Sequence, residues 1–121
     1  MSQQFVFWRA ERALDSAAVY SSLLEDGVTV DGLEPLDAGR AERAIIAAFP
    51  TWTVELARAD GGNQTMLAGP GERGAIDVGY LPQAVVATCY GMDPEEWNVV
   101  IRAFTDLGMP LYDPQIGHRF D

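Results

Sequence analysis

Residues 84–108 read AVVATCYGMDPEEWNVVIRAFTDLG and join a strand-like segment to a helix-like one. The first seven residues are uniformly apolar or small, which predicts a central strand covered on both faces. Asp93 has the position of an N-cap, Pro94 that of the first helical residue, and Glu96 the spacing of a capping box. Gly108 then ends the helix. The apolar face of this helix consists of Trp97, Val100, Ile101, Phe104 and Leu107.

Five other segments have the composition of strands. Phe5–Trp8 is a run of bulky β-formers and predicts a short buried strand. Thr51–Ala59 and Ala75–Leu81 alternate between apolar and polar residues, as half-buried strands do. Asp60-Gly61-Gly62-Asn63 is a strong turn signal, after which Thr65–Ala68 would return as the second arm of a hairpin. Leu111-Tyr112 predicts a short last strand, followed by a tail on the surface.

Two further helices lie between the strand at Phe5–Trp8 and the strand that begins at Thr51. Asp15 is expected to cap the first, which Gly27 would end. Asp37 is expected to cap the second, and Pro50 would stop it. We therefore predict one α+β domain over residues 1–121, a two-layer sandwich with a mostly antiparallel sheet of about five strands and three helices on one face. The short link from the Asp93 helix to Leu111 further suggests one parallel strand pair.

The charge of the chain narrows the classes of partner. Eighteen acidic residues against eight basic ones give a net charge of −10, and all eight bases are arginine. Such a chain repels nucleic acid and anionic lipid but attracts a basic protein surface. The alternative is that the acidity only provides solubility.

The cellular location is predicted from the cysteine count and from the lack of targeting signals. One cysteine excludes an intrachain disulfide, and neither a signal peptide nor a membrane-length apolar run is visible. We therefore expect a cytoplasmic protein.

The most distinctive feature is an acidic connector at residues 25–37, which holds five carboxylates and no base. Connectors can carry function without disturbing the core, although a solvated loop would explain the same pattern. Two more acids lie at the start of the Asp93 helix, where helix capping alone accounts for them. The predicted partner-binding residues are Glu25, Asp26, Asp31, Glu34, Asp37, Glu95 and Glu96.

Catalytic and metal-binding patterns are weak. A hydrolase would need Cys89 as nucleophile with His118 and Asp113, but Cys89 lies in an apolar strand and His118 in a polar tail. One histidine and one cysteine cannot build a zinc site, and the acids at 26–37 lack calcium-loop spacing. The glycines at 69–71 lack the lysine of a phosphate loop. We expect no enzymatic activity, no metal and no cofactor.

The two ends of the chain resemble a known class of proteins. The aromatic strand Phe5–Trp8, together with a closing helix, a glycine and the segment Leu111-Tyr112-Asp113-Pro114-Gln115, is similar to small bacterial proteins, some of which look like immunity proteins of toxin–immunity pairs. The resemblance implies a small, acidic, cytosolic, non-enzymatic protein that neutralises a cognate toxin by binding it. It implies no particular toxin-binding residues.

Three functions follow as hypotheses. The first is an immunity or antitoxin-type protein whose acidic surface docks on a basic toxin domain. The second is a small enzyme or ligand-binding protein with a pocket near Tyr112, Asp113 and His118. The third is a structural or regulatory subunit that self-associates, for example as a homodimer through an exposed edge strand.

Overall fold

A computed structural model describes residues 2–60 and 62–120; Met1, Asp121 and Gly61 of the predicted turn lie outside this part of the chain. The helices are α1 (Ser16–Tyr20), which continues into a π-helical turn at Ser21–Glu25, α2 (Ala38–Ala48) and α3 (Pro94–Thr105). The strands are β1 (Ser2–Phe7), β2 (Thr53–Leu56), β3 (Gln64–Ala68), β4 (Ala75–Tyr80), β5 (Val85–Tyr90), β6 (Leu111–Asp113) and β7 (His118–Phe120). Short 3₁₀ turns occur at Arg58–Asp60 and Pro70–Glu72.

The strands form one sheet in the order β2-β3-β4-β5-β1-β6-β7, and every pairing is antiparallel. The α+β class and the antiparallel sheet are thus confirmed, with seven strands among the described residues where about five were predicted. The predicted parallel pair is wrong, because β1 lies between β5 and β6. Those two strands run in the same direction on either side of it, so α3 connects them across β1. The central position predicted for 84–90 is confirmed.

The sheet is covered on both faces, which corrects the prediction of three helices on one face. Helices α2 and α3 cover one face, where Phe5 and Phe7 pack with Ile45, Val100 and Phe104. The first helical segment covers the opposite face. Its apolar core comprises Val6, Trp8, Val19, Leu23, Leu33, Ala84 and Tyr112. The reason lies in the run Phe5–Trp8 at the end of β1. Successive residues of a strand point to opposite faces, so four apolar side chains in a row need to be covered on both faces.

The predicted N-terminal caps of the three helices are confirmed. Asp15 accepts a hydrogen bond from the Ala17 amide at 3.2 Å, and Asp37 accepts one from the Arg40 amide at 3.0 Å. At the start of α3 the Glu96 carboxylate accepts a bond from the Asp93 amide at 2.9 Å, which is one arm of the capping box. These caps fix where each helix begins, and therefore where the connectors before α2 and α3 end.

The edge strand β2 is shorter and more exposed than its alternating sequence predicts. It covers only residues 53–56 at the edge of the sheet, and Val54 is 41% exposed. Trp52 lies just before the strand and contacts the Phe49 ring at a centroid distance of 4.9 Å. At the other edge, residues 118–120 of the predicted surface tail form β7 by pairing with β6.

The register places the loops at two opposite ends of the sheet. Phe7 pairs with Val85 and Ser2 with Tyr90, so the end of β1 lies beside the β4–β5 turn. We call this the turn end of the sheet. No helix within residues 2–60 and 62–120 is both long and apolar enough to cross a bilayer.

Candidate functional site

The acidic connector, residues 25–37, is held to the turn end by hydrogen bonds of the Gln83 side chain. The Gln83 side chain accepts a hydrogen bond from the Val30 amide at 2.7 Å and donates to the Val30 carbonyl at 2.9 Å. The same amide also donates to the Leu33 carbonyl at 3.3 Å. The Leu36 amide donates to the Pro82 carbonyl at 2.8 Å. The backbone of the connector is therefore fixed against the β4–β5 turn.

The first carboxylates of the connector are exposed. Glu25 ends the π-helical turn, and Asp26 follows it; both are exposed to solvent, and neither forms an ion pair with another described residue. Gly27 follows with φ of +65°, the left-handed conformation predicted for a helix-ending glycine. Gly27 lines a small cavity together with Leu81 and Pro82, which places the start of the connector at the turn end.

The next two carboxylates are paired with arginines. Asp31 lies 3.0 Å from the Arg12 guanidinium, although its side chain stays 98% exposed. Glu34 lies 2.8 Å from Nε of Arg9. Asp37 acts as the cap of α2. Exposed ion pairs of this kind contribute little stability and remain open to exchange with another charged group.

The last two predicted partner-binding residues lie away from the connector. Glu95 and Glu96 begin α3, which starts after Tyr90 and therefore at the end of the sheet opposite the β4–β5 turn. Glu96 contacts Arg73 at 3.2 Å in addition to its capping bond, whereas Glu95 is exposed. The structure thus gathers the connector carboxylates at one end and separates Glu95 and Glu96 from them.

A groove next to the connector was not predicted from the sequence. It has a volume of about 480 Å³ and is lined by Arg9, Ala10, Arg12, Ala13, Leu14, Gly108, Pro110 and Arg119. None of these lining residues is acidic. Arg9 also lines a neighbouring cavity of about 190 Å³, together with Glu34 and Asp37 of the connector. The arginines of the groove come from both ends of the chain, so only the fold brings them together.

The side chains of Tyr112, Asp113 and His118, which were predicted to line one pocket, do not lie together. Tyr112 is buried between the rings of Trp8 and Tyr20, at centroid distances of 5.2 Å to each. Asp113 is the cross-strand neighbour of His118, and side chains alternate along β6, so both lie on the sheet face opposite to Tyr112. The Asp113 carboxylate accepts hydrogen bonds from the backbone and side-chain amides of Gln115.

The hydrolase arrangement is not assembled either. Cys89 is buried in β5, and burial, with a smaller effect of Glu96, raises the pKa of its thiol to about 12. His118 is exposed in β7, where its ring contacts Phe120 edge-on at 4.6 Å. Because β1 and β6 lie between β5 and β7, the two strands are about 14 Å apart. The raised pKa of Cys89 disfavours its thiolate, and the fold keeps His118 away from it, so the two do not form the pair that a nucleophile and its base need.

One polar cluster lies inside the structure. Thr65 donates to the Glu42 carboxylate at 2.8 Å and lies 2.7 Å from the Tyr80 hydroxyl. The Arg58 amide donates to the same Glu42 oxygen at 2.8 Å, and the Arg58 guanidinium lies 5.8 Å from the centre of the Tyr80 ring. This cluster joins α2 to β3 and β4, and its groups mostly satisfy one another, which favours a structural role.

Neither the search for a metal site nor the comparison with known proteins indicates a function. Among the residues that the structure describes, no three acidic, histidine or cysteine side chains are grouped to hold a metal ion. A comparison of the chain with protein-family models finds no match, and a search of curated proteins finds none.

Proposed function

We propose that this protein works in the cytoplasm by binding a protein partner with a basic surface, in the manner of an immunity protein that neutralises a cognate toxin. The observation that carries the proposal is the acidic connector, which is exposed to solvent and yet tied to the sheet by Gln83 and Pro82. A surface loop with a fixed backbone loses little conformational entropy on binding, so more of its contact energy appears as affinity.

The net charge supports the same proposal. A chain with a charge of −10 attracts a basic partner over long distances, and complementary charge raises association rates at low salt. Asp31 and Glu34 already hold Arg12 and Arg9. An incoming arginine or lysine could exchange with these exposed pairs. Glu25 and Asp26 are not paired with an arginine of the described chain, so a basic side chain of the partner can bind them without displacing one.

The proposal is tested with a partner encoded beside this protein's own gene. We would co-express the chain with a neighbouring product that has a toxin-like C-terminal domain, purify the complex and measure association by surface plasmon resonance. The double variant Glu25→Gln/Asp26→Asn should slow association several-fold at low salt, and the difference should shrink as salt screens the charges.

A variant with the same change in charge serves as the control. Glu55→Gln/Asp60→Asn neutralises two exposed carboxylates, one on the edge strand β2 and one in the 3₁₀ turn that follows it, away from the connector. It should leave association within twofold of the unmodified protein. If the control slows association as much as the connector variant, total charge rather than the connector accounts for binding. If no complex forms, the toxin-binding function is wrong.

Self-association is a second candidate, favoured by the exposed edge at β7. Ile116 is 66% exposed and Phe120 is 50% exposed beside an edge whose backbone can pair with another strand. Sedimentation at increasing concentration would detect a dimer formed through β7. In that case Phe120→Glu should restore the monomer, whereas Val54→Glu on the opposite edge should not. A protein that stays monomeric at all concentrations excludes this candidate.

A further inference from the structure

The cover on the second face of the sheet ends at β5. The apolar core beneath the first helical segment includes residues of β1 and β6 and reaches Val86 of β5, but no described residue of β2, β3 or β4 belongs to it. On the other side of β3 and β4, Leu67, Ile76 and Val78 are buried in the core beneath α2 and α3. The residues that alternate with them are partly exposed. Together with one residue of the edge strand β2 they form a surface that we call the open face, which consists of Leu56, Met66, Ala68, Ala75, Asp77 and Gly79.

Gly79 shows that this part of the sheet is uncovered. A Cβ atom added to it would have no atom of the described chain within 4 Å, its two chain neighbours aside. Gly79 pairs with Gln64 on β3 and with Val86 on β5, so the missing side chain leaves a shallow dip between two longer ones. Tyr90, at the end of β5, is 45% exposed on the same side of the sheet.

The open face carries little charge. Asp77 is the one charged residue among the six that define it, and its carboxylate accepts a hydrogen bond from the Gln64 side chain at 2.7 Å. Leu56 and Met66 are cross-strand neighbours, and neither belongs to an apolar core of the described chain. The face therefore presents apolar area on a protein with a net charge of −10. A contiguous apolar patch of this kind on a protein surface is often a contact site.

We propose that the open face is the contact surface of a reversible homodimer, in which two copies of the chain stack sheet on sheet. Two copies that each carry a charge of −10 repel one another, so they approach at least cost where the charge is lowest. A basic partner is drawn instead to the exposed carboxylates of the acidic connector. Stacked sheets interdigitate their side chains, and the dip at Gly79 can receive a side chain of the second copy. This contact is distinct from strand pairing at β7, which lies at the opposite edge of the sheet from β2.

The size of the open face predicts that the dimer is weak. Three strands ~4.8 Å apart, with about five residues each at ~3.4 Å per residue, extend over roughly 250 Å² in projection. Stable interfaces bury about 800 Å² on each partner, and smaller ones are typical of transient complexes. We therefore expect a dissociation constant in the upper micromolar range or above.

The test is sedimentation equilibrium of the whole protein at micromolar to millimolar concentrations. A monomer–dimer equilibrium is expected, and added salt should strengthen it because salt screens the repulsion between two acidic copies. Binding of a basic toxin should instead weaken with salt, so the two contacts respond in opposite directions. A protein that stays monomeric over the whole range, or a dimer that salt weakens, would overturn the proposal without deciding whether a toxin binds.

Three variants locate the contact. Gly79→Glu places a charge where the monomer has open space and should weaken the dimer about tenfold, because that charge is buried by the second copy. Met66→Arg should weaken it to a similar degree with the opposite sign of charge, and its position across from Asp77 favours the folded monomer. Phe120→Glu on β7 adds the same charge as Gly79→Glu and should leave the dissociation constant within about twofold.

The pattern of the three variants decides the outcome. Loss of the dimer in Phe120→Glu alone would assign the contact to the β7 edge and overturn the proposal. A stronger dimer in Met66→Arg would show that net charge, rather than burial of the open face, controls association, and would overturn it as well. Unchanged backbone amide spectra of the monomers would confirm that each variant is folded.

Discussion

The side chain of Gln83 reproduces a strand-like pair of hydrogen bonds with Val30, accepting from its amide at 2.7 Å and donating to its carbonyl at 2.9 Å. One glutamine in the β4–β5 turn thus satisfies both backbone groups of a residue in the acidic connector. Since partly buried backbone groups need such partners, we expect Gln83 to restrict the conformation of the connector around Val30.

Replacing Gln83 by leucine should release the connector. The Val30 amide and carbonyl lose their partners, and the cost should be about 1–3 kcal/mol of unfolding free energy. Urea denaturation would measure this loss. Hydrogen exchange at the Val30 amide should speed up far more than exchange at Ala87 in the central strand β5, which reports the global change alone. Equal acceleration at both sites would show that Gln83 does not act locally.

A second prediction concerns the hydrogen-bond chain through Thr65. Thr65 has one hydroxyl hydrogen, which it donates to Glu42, so the Tyr80 hydroxyl donates to Thr65. Thr65→Val keeps the shape of the side chain but leaves both neighbours without this partner. We expect a loss of about 1–3 kcal/mol in unfolding free energy. Thr53→Val, at an exposed position of β2, should change it by less than about 0.5 kcal/mol.

The helix ends and the central strand were predictable because their signals are local. Glu96 accepts a hydrogen bond from the Asp93 amide and Pro94 has no amide hydrogen to satisfy, so the start of α3 is specified within one turn and no distant contact is needed to identify it. The strand at 85–90 follows equally from its own composition. By contrast, β7 exists only because β6 is beside it. Its sequence, His-Arg-Phe, has no apolar periodicity that would reveal a strand.

The covered second face could have been predicted, whereas the groove could not. Phe5–Trp8 is apolar at four successive positions, and a strand with two apolar faces requires two covers. The groove depends on Arg9, Arg12 and Arg119, which meet only because β6 pairs with β1 and β7 with β6. Side chains from opposite ends of a chain can be brought together by many topologies, and the pattern of residues does not choose among them.

The Cys89 thiol should be unreactive in the folded protein. It is 1% exposed within the core beneath α3, and burial raises its pKa, so both access and thiolate formation are suppressed. Reaction with an aromatic disulfide reagent near neutral pH should follow the rate at which the protein opens. Addition of urea should accelerate it steeply. A fast reaction in the absence of urea would contradict the buried position of this strand.

The stability of the protein should fall at alkaline pH, first through Cys89 and then through Tyr80. Burial is the largest cause of the raised pKa at both groups, from 9.0 to about 12 for the thiol and from 10.0 to about 12 for the phenol. The unfolded chain releases these protons earlier than the folded one, so their contribution is complete below pH 9.0 and is lost as the pH rises toward 12. Urea denaturation at a series of pH values from 8 to 11 would measure the slope. In Cys89→Ala the protein should be less stable at pH 8, because a cavity is created, but its slope between pH 9 and 10 should be shallower. An unchanged slope would mean that the thiol does not contribute to the alkaline loss.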